Sequence, residues 1–124
     1  MSFDLAVMHI EEPISAEDAG EIYRRLCDGD YEVLRPSEKV DSFYQELTSR
    51  YPNMEELSDE EIDESPWSVS PDISDGAVIV SVRWSRADEM SDFIKELSTK
   101  HGLACYDPQE DVIHLPATLI RRKA

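Results

Sequence analysis

Glycine is scarce in this chain, with four residues in 124, and cysteine is scarcer still at two. So few glycines leave little material for a phosphate-cradling loop, and neither G-x-x-x-x-G-K-[ST] nor G-x-S-x-G occurs. Cys27 and Cys105 have no C-x-x-C spacing and no second pair nearby, which excludes a zinc ribbon or a disulfide scaffold. Two free thiols, buried or partly buried in a reducing cytoplasm, are the expectation. Long apolar runs are also missing: none exceeds four residues, as in Ala77-Val78-Ile79-Val80, whereas a bilayer span needs about 20. The opening "MSFDLAVMHIEEP" carries no basic leader, so neither a secretory signal nor a membrane role is expected.

Positive charge is the remaining deficit. Lys and Arg number 12 against 28 Asp and Glu, for a formal net charge of −16. The imbalance is confined to one part of the chain: residues 1–75 hold 21 acids and 5 bases, and residues 76–124 hold 7 of each. A field of that sign repels nucleic-acid backbones and anionic lipid and accelerates encounter with basic protein surfaces. The terminal "RRKA" is too short a basic tail to reverse this. Acidity that merely keeps a protein soluble is the plain alternative.

What is present suffices for a core. Hydrophobic residues make up 40% of the chain and ten residues are aromatic, which fits one ordinary domain spanning residues 1–124. The run from Phe3 to Ile10 is apolar on both alternating faces, predicting a central strand covered on both sides. Ser15 caps a predicted amphipathic helix through Ala16, Ala19, Ile22, Tyr23 and Leu26 that closes near Asp28-Gly29. A second helix is predicted over 37–51, with Val40, Phe43, Tyr44, Leu47 and Tyr51 on one face and Pro52 beyond its end. "AVIVSVRW" reads as a buried strand, and Ser85 as the cap of a helix whose stripe is Ala87, Met90, Phe93, Ile94 and Leu97, stopped at Gly102. "LACY" and "DVIHL" form a predicted hairpin about "DPQE".

These elements give an α+β fold: a single mixed sheet of about four strands with about three helices, in the order β-α-α-loop-β-α-β-β. The segment 76–106 reads as strand–helix–strand, with its two strands parallel. Between residues 52 and 75 an irregular acidic loop is expected, except for one helical turn capped by Ser58.

That loop holds the stretch of greatest interest, "MEELSDEEIDESPW", with seven carboxylates and no base. A calcium loop fits its alternating Asp59, Glu61 and Asp63, but the sixth position would be Glu64 instead of glycine and the twelfth Ser70 instead of glutamate. His9, His101 and His114 lack metal-site spacing, although folding could join His9 to His114 across neighbouring strands. His101 is assigned to the C-terminal end of its helix. No metal, cofactor or catalytic residue is expected.

A binding surface fits better. Glu55, Glu56, Asp59, Glu60, Glu61, Asp63 and Glu64 would steer toward a basic protein, and the flanking Tyr51 and Trp67 would supply desolvated contact, since interface hot spots favour aromatic anchors within a polar rim. The competing reading tucks Trp67 onto the core and leaves it to anchor the loop. Trp84, between strand and helix, is expected to be structural. An alternative site, a small enzyme or ligand pocket, would use Tyr106, Asp107, Gln109 and His114 around the hairpin. A third reading is an acidic adaptor that self-associates, for example as a homodimer through a sheet edge.

The blocks "FDLAV", "FYQELTSRYP", "SPWS", "VRWSRADE" and "HGLACYDPQ" together resemble a pattern in small acidic bacterial proteins, some of which resemble the immunity partners of polymorphic secreted toxins. The likeness covers most of the chain in scattered blocks and carries no catalytic motif. It implies a cytoplasmic protein that neutralises a toxin domain by occluding its active site.

Overall fold

The computed structural model describes residues 2–117 and Leu119; the basic tail lies outside this range. Within it the chain forms five strands, β1 (Ser2–Met8), β2 (Trp67–Ile73), β3 (Ala77–Arg83), β4 (Ala104–Asp107) and β5 (Val112–His114). Four α-helices accompany them: α1 (Ala16–Cys27), α2 (Glu38–Arg50), α3 (Asp59–Glu64) and α4 (Ala87–Lys100). The sheet order is β2-β3-β1-β4-β5 and every pairing is antiparallel.

The architecture is α+β as expected, with two corrections. The sheet is not mixed: β3 and β4 do run in the same direction, but β1 lies between them and pairs with both. The extra strand and helix come from the segment expected to be irregular, where α3 and β2 account for most of residues 59–73. Two prolines concealed the strand. Pro66 ends α3 and precedes β2, while Pro71 sits inside an edge strand, where a missing N–H need not break a ladder. The pairing of β2 with β3 shifts register twice, between Trp67 and Val69 and again between Val69 and Asp72. These irregularities erase the clean period-two pattern by which a strand is read.

Strand β1 is covered on both faces, as its unbroken apolar run predicts. Leu5 and Val7 join Val78, Val80 and Val82 beneath α2 and α4, through Phe43, Leu47, Met90 and Ile94. On the opposite face Ala6, Met8, Ala77 and Ala104 pack with Ala19 and Leu26 of α1. Small side chains on this face let the helix come close. A Cβ added at Gly20 would stand 3.0 Å from the Tyr106 hydroxyl oxygen. Ser15, Ser37 and Ser58 cap α1, α2 and α3 through their side chains. Ser85 does not cap α4: Trp84–Arg86 form a 3-10 turn, and Arg86 precedes the helix without a side-chain cap.

The β4–β1 ladder stops early because the chain turns at Pro108. The Gln109 side chain continues it, accepting from the Asp4 backbone N–H at 2.7 Å and donating to the Asp4 carbonyl at 2.8 Å. A side-chain amide thus stands where a strand residue would have satisfied both groups.

Trp67 lies at the heart of the larger core. It is fully buried, its indole N–H donates to the Tyr51 carbonyl at 3.1 Å, and its ring meets the Tyr51 ring edge-on at 6.2 Å. Trp67→Ala is predicted to cost about 3–5 kcal/mol from the cavity alone. Trp67→Phe, which strands one carbonyl, should cost about 1–3 kcal/mol. Urea denaturation of both variants checks the order and the sizes.

Candidate functional site

Helix α3 carries the acidic stretch, and both of its ends are tied. At the N-terminus the Ser58 hydroxyl accepts from the Glu61 N–H at 3.2 Å while Glu61 accepts from the Ser58 N–H at 3.0 Å, a reciprocal capping box. Asp59, Glu60 and Glu61 also sit in the first turn, where negative charge suits the exposed N–H groups.

The C-terminal end poses the opposite problem, since Asp63 and Glu64 crowd negative charge against unpaired carbonyls. Two arginines from the end of β3 and the turn after it resolve this. Arg83 donates to the carbonyls of Ile62 at 3.0 Å, Asp63 at 3.3 Å and Trp67 at 3.1 Å. Arg86 donates to the Glu64 carbonyl at 2.9 Å and pairs with Glu89. The guanidinium groups therefore bond backbone across the α3–β2 junction and form no ion pair with the α3 carboxylates among the described residues. A third tie lies upstream, where Ser70 accepts from the Met54 N–H at 2.9 Å and donates to Glu55 at 2.8 Å.

The predicted partner-binding residues divide accordingly. Glu55, Glu56, Asp59, Glu60, Glu61, Asp63 and Glu64 are all exposed, and none forms an ion pair among the described residues. The aromatic pair does not flank them as an exposed patch. Trp67 is buried, because a large apolar ring at the start of β2 faces the same side as Val82, its partner across the ladder. Tyr51 is half-buried against Trp67 and Phe93, with the Arg50 guanidinium 4.7 Å above its ring. It still helps form a cleft of about 170 Å³ with Pro52, Leu57, Glu61, Glu64 and Pro66. The exposed tryptophan is Trp84, at 50%, with its ring edge-on to Phe3 at 5.5 Å. The signal available was its place after Arg83, where β3 ends and the alternation that buries Val82 no longer applies.

The alternative hairpin pocket does not assemble. Tyr106 faces α1 and donates to Asp111 at 2.6 Å, whereas Cys105 and its cross-strand partner His114 occupy the other parity of the sheet. Asp107 and His114 line separate cavities, and the Gln109 amide is engaged with Asp4 and Asp107. Burial, reinforced by the Asp111 carboxylate, pushes the Tyr106 hydroxyl up to about 12, and burial pushes the Cys105 thiol up to about 12. Burial, with the Lys95 charge, lowers His114 and favours its neutral form.

Cys105 is buried, but Cys27 is exposed near the end of α1. His9 and His114 are not on neighbouring strands, since β4 separates β1 from β5, and no metal-binding group of three or more ligands occurs among the described residues. His101 ends α4 as predicted, although its ring meets Glu46 at 3.0 Å rather than a carbonyl. No helix among the described residues is long and apolar enough to cross a membrane.

Arg83→Met should free the α3 carbonyls while preserving much of the side-chain volume. Amide exchange is predicted to accelerate by about tenfold in α3 and at the start of β2, with β1 and β4 unchanged, as hydrogen-exchange mass spectrometry can resolve.

The capping box gives a pH dependence of definite sign. Bonds from Ser58 hold the Glu61 carboxyl below the usual carboxylate range. Its contribution to α3 is therefore complete above the unfolded-state value and is lost as pH falls through the lower folded value. Cα chemical shifts of residues 59–64 should lose helical character on acidification, and Glu61→Gln should flatten that course; an unchanged course in the variant would refute the assignment.

Searches for similar proteins found no matching protein-family model, no matching curated protein and no matching solved structure.

Proposed function

We propose that this protein binds a basic protein partner through the exposed carboxylates of α3 and the cleft beside it. The observation that carries the reading is electrostatic: seven exposed carboxylates with no ion pair among the described residues, and no base across residues 54–67, presented on a segment whose backbone is fixed at several points. Charge held in place beforehand costs less to order on binding, so it favours both encounter rate and correct register. Acidity that served solubility alone would not require the arginine ties.

The specific form of this reading is that of an immunity protein, which lies over the active cleft of a toxin domain and excludes its substrate. The block-wise resemblance to small acidic bacterial proteins supports it. The carboxylates would meet a cationic rim or occupy positions that phosphates take in the toxin's substrate. Tyr51 contributes as one wall of the α3 cleft, and Trp67 contributes by holding the scaffold beneath it.

Affinity purification from the producing cell, followed by identification of what co-purifies, tests the reading directly. A basic protein domain is expected. Its association rate should fall by about tenfold or more between about 0.05 and 0.5 M salt, and by a similar factor when Glu56, Asp59, Glu60, Asp63 and Glu64 are replaced by their amides. Recovery of copies of this chain alone, or association indifferent to both changes, would reject it.

A further inference from the structure

The cleft beside α3 differs from the surrounding acidic surface in having apolar walls. Tyr51 and Pro52 follow α2, Leu57 comes from the turn before α3, and Pro66 from the turn after it. Buried Trp67 ties two of these segments together. Its indole N–H donates to the Tyr51 carbonyl at 3.1 Å and its backbone N–H to the Ser65 hydroxyl at 3.2 Å, while the Pro66 carbonyl accepts from the Arg83 N–H at 2.9 Å. The Leu57 N–H donates in turn to the Met54 carbonyl at 3.1 Å. The opening is therefore built before any guest enters, and a preformed site loses less order on binding.

Two carboxylates complete the lining. Glu61 and Glu64 stand three residues apart on α3 and so share a face of the helix. The bond from the Ser58 N–H orients Glu61, and Glu64 makes no ion pair among the described residues. A cleft of about 170 Å³ falls below the roughly 300–1,000 Å³ of small-molecule pockets and has the size of one long side chain. Apolar walls with two carboxylates match a lysine, whose four methylenes prefer apolar cover while its compact ammonium seeks several acceptors. A second copy of this chain is a poor source of that lysine, because two bodies of net charge −16 repel each other.

We propose that this cleft receives one lysine side chain of the basic partner, its methylenes against Tyr51, Pro52 and Leu57 and its ammonium between Glu61 and Glu64. The inference rests on the reading that a basic protein docks on α3, and it names the anchor of that contact. Exposed carboxylates set the rate of encounter, whereas an inserted side chain slows departure.

An end-blocked Gly-Gly-Lys-Gly-Gly peptide serves as the probe, with its Nε-acetyl-lysine version as the uncharged control. In NMR titrations the Leu57 methyl and Tyr51 ring resonances should shift with the lysine peptide, and nuclear Overhauser contacts should join the lysine methylenes to the Leu57 methyls. Acetylation should weaken binding by about fivefold. Leu57→Ala, which keeps every charge, should weaken it by about threefold, a loss that charge attraction alone does not produce. Glu64→Gln should act by a similar factor; Glu61 is left intact because it caps α3. Leu57 methyls that stay still while α3 amides shift would overturn the lysine anchor and leave the α3 reading standing. An equal response to the acetylated peptide, or undiminished binding by Leu57→Ala, would also overturn it, and no response anywhere on α3 would reject both.

Discussion

The hydrogen bonds from Arg83 to the carbonyls of Ile62, Asp63 and Trp67 hold together the part of this molecule that differs most from an ordinary sheet-and-helix domain. A six-residue helix with five acids has no stability of its own, and its C-terminal charges oppose the helix dipole. One planar cation with several fixed donors satisfies carbonyls on both sides of the junction, so α3 and the first residue of β2 are joined through a single side chain. Because Arg83 belongs to the firmly paired β3, the acidic segment inherits the rigidity of the sheet. The carboxylates stay in water while the backbone beneath them is held.

How much of this was legible depended on whether a residue's role was local. The caps of Ser15 and Ser58 follow from short-range chemistry, as do the apolar stripes of α2 and α4 and the turn about Asp107 and Pro108. All of these could be read directly. β1 could also be placed centrally, because apolar residues on both parities require cover on both faces. β2 was hidden, since its shifts of register break alternation and Pro71 argues against a strand unless its edge position is known. Trp67 was obscured for a related reason: a tryptophan among prolines and acids suggests a loop, yet its pairing with Val82 turns it into the core, whereas Trp84 follows the last residue of β3 and has no strand partner. The arginine ties join residues about 20 apart and have no sequence signature at all.

The distribution of charge acquires meaning only with the fold. By sequence, the segment 76–124 carries no net charge beside its acidic neighbour. In space, its two arginines at the end of β3 are committed to backbone carbonyls, and Asp88, Asp92, Asp107 and Glu110 gather around one cavity with only Lys95 among them. Carboxylates therefore stand both on α3 and around the first half of α4.

The irregular course of β2 has a consequence of a different kind. An outermost strand normally presents a row of free peptide groups onto which another chain can add, and repetition of that addition makes fibres. Here Pro71 deletes one donor, and the two slips in pairing interrupt the even spacing that a newcomer would need. Such a border is a poor template for the addition of a further strand along that side.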